Sequence, residues 1–478
     1  MIKKYLCFLV TLSLVALLFQ SCIKDESNGP SGNSSKLSLA QDLQEKYTLN
    51  RWDTLKISPQ VVQTNEQKNV DYEWEINGKV VSTDDTLKYV CKDFGTFLCR
   101  LKVSNGENLQ YYQFDLNVQY SYVDGLYILA SNNGKSIVSY LPENGSSKSF
   151  DFDVLQKNNP KIDFTGEPKG IDYALARDNK TPLLFVAVGS PSTIYEFDGN
   201  LMNMRFATNS TGDVSYLKKS HLTYPKSILA MVNHIPYRLT LSESNPFDLG
   251  KSIKNDLGSD ISLADEATAW KQQDLRYVQG YVMFDNANGR LITQKVQATG
   301  KIPVELLKGK FTGETLVGMG SVDSERNIVL LTWNESLSKF KCYYIFPGFY
   351  PSTAAKVEPA ILKNETVVPA TAGLTKQSVV RVSAEKNLVY YSDGNKLYAY
   401  NVLSGGNFPQ NALVTFGDTG ETIVDMLITN GSNKLYVATN AASGQLVGSI
   451  YCFDMNENKV LWEKKNITGR IKSITYRQ

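Results

Sequence analysis

The sequence predicts an all-β protein, a small N-terminal sandwich followed by a β-propeller in which seven blades are favoured. Three observations lead there. A strand-turn-strand unit recurs along most of the chain, and the segment before it alternates apolar and charged residues with period two. The 27 Tyr and 20 Phe among 478 residues also favour strands, because flat rings pack well on pleated, half-buried surfaces.

The repeat decides the architecture. Strands begin near Leu126 (LYILAS), Leu183 (LLFVAV), Lys226 (KSILAMV), Gly280 (GYVMF), Ile328 (IVLLTW), Leu388 (LVYYSD) and Lys434 (KLYVAT), a mean interval of about 51 residues. Second strands share an aromatic flavour, as in Ile194-Tyr195-Glu196-Phe197, Leu397-Tyr398-Ala399-Tyr400 and Ile450-Tyr451-Cys452-Phe453. A period near 50 with short strands and Gly/Asn/Asp turns fits propeller blades. Six or eight blades are the alternatives. Several units have a strand before the LYVAT-like one, such as 170–176 or 378–383, but the first unit lacks it. The C-terminal GRIKSITY, 469–476, is expected to supply it, closing the ring and removing two sheet edges that would invite aggregation. The segment 262–275 breaks the repeat. Ser262 and Asp265 suggest a helix cap, and Leu263, Ala267, Trp270 and Leu275 have broadly helical spacing, so a short helix is expected there.

The domain expected over 36–121 has inward rows Tyr72, Trp74, Ile76 and Phe97, Cys99, Leu101, Val103, with Glu73, Glu75, Thr96, Arg100 and Lys102 facing out. Asn77-Gly78 and Asn105-Gly106 mark turns. The run Tyr72-Glu73-Trp74, then Tyr89, Phe94-Gly95-Thr96-Phe97 and Val103-Ser104-Asn105 resembles a PKD domain, an immunoglobulin-like sandwich with a Trp on a central strand. That resemblance implies a spacer or protein-contact module, with Trp74 in the core. The family's Gly-Asp-Gly-type turn is here reduced to Asn77-Gly78.

The N-terminus reads as an address. Lys3 and Lys4 precede an apolar run over 6–19, too short for a membrane span and the length of a signal-peptide core. It ends in Phe19-Gln20-Ser21-Cys22, which resembles a bacterial lipobox. The resemblance implies removal of 1–21 and lipidation of Cys22, with three acyl chains anchoring the protein at ~0.8 kcal/mol per buried CH2. Ile23-Lys24-Asp25-Glu26 resembles the export signal behind the lipidated cysteine in surface lipoproteins of Bacteroidota-type bacteria, which implies display on the outer face of the outer membrane through Lys24, Asp25 and Glu26. The rest of 22–35 is a polar tether.

Removing Lys3 and Lys4 takes the net charge from +2 to 0, which gives no electrostatic case for nucleic acid. No G-x-S-x-G, H-E-x-x-H or Walker loop occurs, and His221 and His234 are the only histidines, so no catalytic residue, metal or cofactor is assigned. Asp454-x-Asn456-x-Asn458 resembles the start of a calcium loop, but Lys459 and Lys465 at its sixth and twelfth positions reject it. A glycosidase carboxylate pair stays open, since such pairs come from distant positions. Cys91 and Cys99 could form a disulfide or be two small buried hydrophobes, and Cys342 and Cys452 read as core thiols. Trp270, Trp333 and the loop residues Phe349 and Tyr350 are candidate ring faces for a sugar or peptide, against strand-end packing as the plainer reading. Asp53-Thr54-Leu55 and Asp85-Thr86-Leu87 resemble a short O-glycosylation acceptor motif at Thr54 and Thr86.

Together, the lipobox, export signal, PKD-like segment and large β domain resemble the PKD-like family lipoproteins. The resemblance implies a non-enzymatic accessory of a Sus-type uptake system, partnered by a TonB-dependent barrel and its lipoprotein lid and handling a peptide or glycan. A propeller-based glycosidase or lyase, or a free-standing adhesin, is the alternative.

Overall fold

A computed structural model describes residues 34–143, 150–219, 227–241, 260–271, 278–295, 304–348, 358–429, 431 and 433–477. It divides into two compact units that meet in the chain at Ser121 and Tyr122.

In the first unit a five-stranded sheet runs in the order Lys46–Asn50, Leu109–Gln119, Gly95–Ser104, Asp71–Ile76, Lys79–Ser82. Two short ladders accompany it, Leu37–Leu39 with Val61–Gln63 and Thr54–Ile57 with Leu87–Val90. The period-two rows do what alternation requires. Trp74, Ile76, Cys99, Leu101 and Val103 are buried with Leu55, Ile57 and Leu87, while Arg100 lies outside, forked onto Glu75. Trp74 donates its indole N–H to the Asp84 carbonyl at 2.8 Å and meets the edge of Phe114. Asn77 and Gly78 both take positive φ, 49° and 75°, as a two-residue hairpin turn demands. Cys91 and Cys99 are not bridged. Both are buried free thiols, and burial pushes the Cys99 thiol up to about 12.

The second unit contains seven sheets of three or four strands among the described residues, one for each expected blade. Their second strands are the apolar runs read from the sequence. Pro182–Val188 is buried at every position, as is Leu435 through Asn440. A strand covered by neighbouring blades on both faces has no solvent side, so its apolar residues run on instead of alternating. The outermost strands alternate, as in Ile361–Val367.

The innermost strands form a ring. In order they are Arg470–Arg477, Pro168–Leu175, Val214–Lys219, Leu263–Lys271, Glu314–Val322, Val380–Ser383 and Thr422–Ile428, each packed against the next and the last against the first. Arg470–Arg477 pairs antiparallel with Gly125–Asn132, so the C-terminal strand completes the first blade. It carries Ile471 and Ile474 into the core between the first and seventh blades, each worth at most roughly 1.5–3 kcal/mol. Arg477 fastens it to the second blade through the Asn200 side chain at 2.6 Å.

The helix expected within 262–275 is not formed. Residues Leu263–Lys271 are the inner strand of the fourth blade, and 272–277 lie outside the described residues. The strand's register slips between Leu263 and Ala267. Such a bulge breaks the period of two, which gave the apolar residues their helix-like spacing.

Candidate functional site

The inner strands put five charged side chains about the ring's lumen. Arg381 of the sixth blade holds Asp425 of the seventh at 2.6 Å and Glu266 of the fourth at 3.1 Å. The second contact passes over the fifth blade's strand and therefore crosses the lumen. The Arg381 guanidinium also donates to the carbonyls of Met426 at 2.8 Å and Val380 at 2.7 Å. Asp425 accepts from Ser473 Oγ at 2.8 Å and the Ile474 N–H at 2.9 Å. Asp172 accepts from Thr475 Oγ1 at 2.7 Å and from the Lys219 N–H. Lys218 reaches Ile171 O and Ser473 Oγ, both at 3.5 Å. Tyr216 donates to the Ala267 carbonyl at 3.3 Å.

Two glycines make room for this arrangement. On the fifth blade's strand, a Cβ at Gly318 would sit 2.4 Å from the Val380 Cβ, and one at Gly320 would sit 2.4 Å from that of Val382. Only a bare backbone allows the strands to approach so closely. Arg381, between the two valines, then projects from the opposite face.

Environment separates the carboxylates. Burial disfavours charge on Asp425, 5% exposed, but Arg381, Lys218, the Ile474 N–H and Ser473 outweigh it and hold its pKa below the ordinary range. Glu266 is 28% exposed to the lumen. Burial raises its pKa, with Arg381 opposing. Asp425 and Asp172 are spent on stitching strands together. Among the described lumen carboxylates only Glu266 combines solvent access with a raised proton affinity, the combination expected of a general acid.

The residues singled out in the sequence do not converge here. Trp270 is 2% exposed, packed with Phe284, Phe311 and Leu330, so it presents no face to a ligand; as part of an inner strand it fills the space between blades. Trp333 is half-buried, with the Lys376 ammonium 4.6 Å over its ring and Phe340 tilted against it at 4.5 Å. Those neighbours occupy the surfaces a sugar would stack on. Thr54 is exposed, while Thr86 is half-buried and shares a 3.0 Å hydrogen bond with Ser58. The two Asp-Thr-Leu motifs lie on paired strands whose Leu55 and Leu87 enter the core. Cys342 and Cys452 are buried thiols. His234 sits in a strand turn beside Asp265 at 3.2 Å. Asp454 accepts the N–H groups of Asn456 and Glu457, closing a turn. Among the described residues no cluster of metal-ligating side chains occurs. Cys22, Lys24, Asp25, Glu26, His221, Phe349 and Tyr350 lie outside the described residues.

Sequence reading missed a second repeat. Buried Glu314 accepts from Thr332 Oγ1 and Tyr343 Oη, both at 2.7 Å. Two blades later Glu421 accepts from Thr439 Oγ1 at 2.6 Å and Tyr451 Oη at 3.5 Å. Both sets join three strands of one blade, and the Glu-to-Thr spacing is 18 residues in each. That shared spacing was the available signal.

The model of the PKD-like family matches residues 22–168. No curated protein matches the chain. Among solved structures it is similar to a quinonprotein alcohol dehydrogenase-like protein from Bacteroides thetaiotaomicron, with TM-score 0.52 and 14% identity over 92% of this chain and 99% of that one. It is also similar to a putative 6-phosphogluconolactonase from Bacteroides uniformis, with TM-score 0.46 and 10% identity over 74% and 99% of the two chains. A third is the Cps50 (Swd1) β-propeller domain of Myceliophteria thermophila, with TM-score 0.43 and 8% identity over 65% and 90%. At 14% identity the likeness to the first of these is one of fold. The chain thus carries a segment matching the PKD-like family, which takes in the first unit and runs on through Gly125–Asn132 and Lys135–Pro142 of the first blade, and a β-propeller with seven sheets among the described residues.

Proposed function

We propose that this chain is a surface-exposed outer-membrane lipoprotein, anchored through Cys22, that serves as a non-enzymatic binding or docking component of a TonB-dependent uptake complex for peptides or glycans. The observation that carries the non-catalytic reading is the use of the lumen charges. Arg381, Asp425 and Asp172 each bond neighbouring strands of the ring. Groups committed in this way build a rigid platform and have little left to offer a reacting substrate. The lipobox and the acidic residues after it support the location. Detergent pull-down of the tagged native protein tests the assignment. Recovery of a TonB-dependent barrel with its lipoprotein lid is expected, and recovery of the chain alone would refute it.

One observation favours a second reading, a glycosidase or lyase. Glu266 is accessible from the lumen and holds its proton more tightly than an ordinary carboxylate. Glycan turnover by the wild type that disappears in Glu266→Gln would establish that reading over the first.

A further inference from the structure

The first unit has an open groove of about 760 Å³ whose wall includes Lys56, Lys88, Tyr72, Ser58, Asp85 and Thr86. Lys56 and Lys88 are directly opposite each other on the antiparallel pair Thr54–Ile57 and Leu87–Val90. Like charges in that position repel, and strand pairs normally avoid or neutralise them. Here both are exposed, and neither has a carboxylate within ion-pair distance among the described residues. Leu55, Ile57 and Leu87 fix the strands by entering the core, so the two ammonium groups are carried on a rigid support. The half-buried Tyr72 adds an aromatic wall, and Ser58 and Thr86 add a pair of hydroxyls 3.0 Å apart.

We propose that this groove binds an acidic glycan, with a carboxylate or sulfate of one sugar held between Lys56 and Lys88, a sugar ring against Tyr72, and ring hydroxyls donating to Asp84 and Asp85. Lysines on directly opposed residues of a strand pair can converge on a single anionic substituent. The aspartates in the same wall repel a dense polyanion such as nucleic acid, yet they accept hydrogen bonds from hydroxyls. Sparse charge on a hydroxyl-rich chain satisfies both. This site belongs to the first unit and does not depend on a transporter partner, so a failed pull-down leaves it standing.

The test is affinity electrophoresis and calorimetry of the full chain in detergent with polygalacturonate and chondroitin sulfate, using amylose and dextran as neutral controls. Binding to at least one acidic polymer is expected, weakened as salt rises from about 50 to about 500 mM. Lys56→Ala/Lys88→Ala should lose about tenfold or more, while Lys56→Arg/Lys88→Arg retains binding. The lysines are exposed, so folding is not at stake, and an unchanged melting temperature verifies it. Absence of acidic-glycan binding, equal binding of the neutral polymers, or full affinity in the double alanine variant would each overturn the proposal.

Discussion

Glu196 is a buried carboxylate whose ionisation the fold opposes, and Glu196→Gln should reveal this as a pH-dependent gain in stability. Its strand, Thr193–Asp198, places it between Phe185 and Phe206 on the flanking strands. The side chain is 0% exposed, and its charged partner is Arg205, whose Nη1 lies 3.2 Å away. Among the described residues neither carboxylate oxygen accepts a hydrogen bond. Burial therefore pushes the pKa from 4.5 up to about 7, with Arg205 opposing. Between those values the folded chain keeps a proton that the unfolded chain has released, so stability falls as pH rises through the window. A shift of this size corresponds to on the order of 3 kcal/mol. Glutamine keeps the shape of the protonated acid without the titration. Urea unfolding of the second unit at intervals from pH 4.5 to pH 8, for both proteins, gives the difference with every other titrating group cancelled. The variant should gain steadily up to about pH 7 and level off above it. A difference independent of pH would refute the reasoning. So would a wild type favoured as pH rises, which would mean that the Arg205 pair outweighs desolvation.

Arg381→Ala leaves Asp425 buried without its paired guanidinium, with only Lys218 nearby among the cations acting on it, and should cost about 3 kcal/mol in chemical denaturation; Arg381→Lys, unable to fork between two carboxylates, should recover part of this. Gly318→Ala and Gly320→Ala each drive a methyl into a valine of the next blade and should lose about 1–3 kcal/mol apiece in chemical denaturation; neither glycine has a positive φ, so the loss reports the clash and not backbone strain. Truncation before Arg470 removes the inner strand of the first blade, and limited proteolysis should then cut within Gly125–Asn132, which stays protected in the full chain. Reductant should leave the melting temperature unchanged, because Cys91 and Cys99 are separate thiols.

What the sequence disclosed depended on how locally each feature is encoded. The seven central strands were legible because cover on both faces turns them into unbroken apolar runs such as LLFVAV and IVLLTW. The closing strand was legible because the first repeat lacked one. The inner strand of the fourth blade was not, since the register slip after Leu263 disguised a strand as a helix. Trp270 and Trp333 were misread for another reason. Residue type says that a ring will seek a partner, but not whether protein or ligand supplies it. The lumen network was beyond a single pass, as Arg381 and Glu266 are 115 residues apart and Asp172 and Thr475 are 303 apart.

The lumen and the Lys56–Lys88 pair dispose of their charges in opposite ways, and that contrast bears on where a ligand would be held. In the lumen Arg381 has carboxylate and carbonyl partners on several sides, and Asp425 accepts from side chain and backbone together. Drawing a ligand into such a network means breaking bonds already made in a poorly solvated place, so the exchange gains little. Lys56 and Lys88 present the reverse case. They stand directly opposite each other with no ion-pair partner among the described residues, and an anion between them would gain charge-assisted hydrogen bonds from both. Their unused capacity is already positioned on strands pinned by Leu55 and Leu87, so binding need order only the lysine side chains. On this argument the ring of blades supplies rigidity, and the small N-terminal unit, whose resemblance implies a spacer or protein-contact module, is the better place to look for recognition.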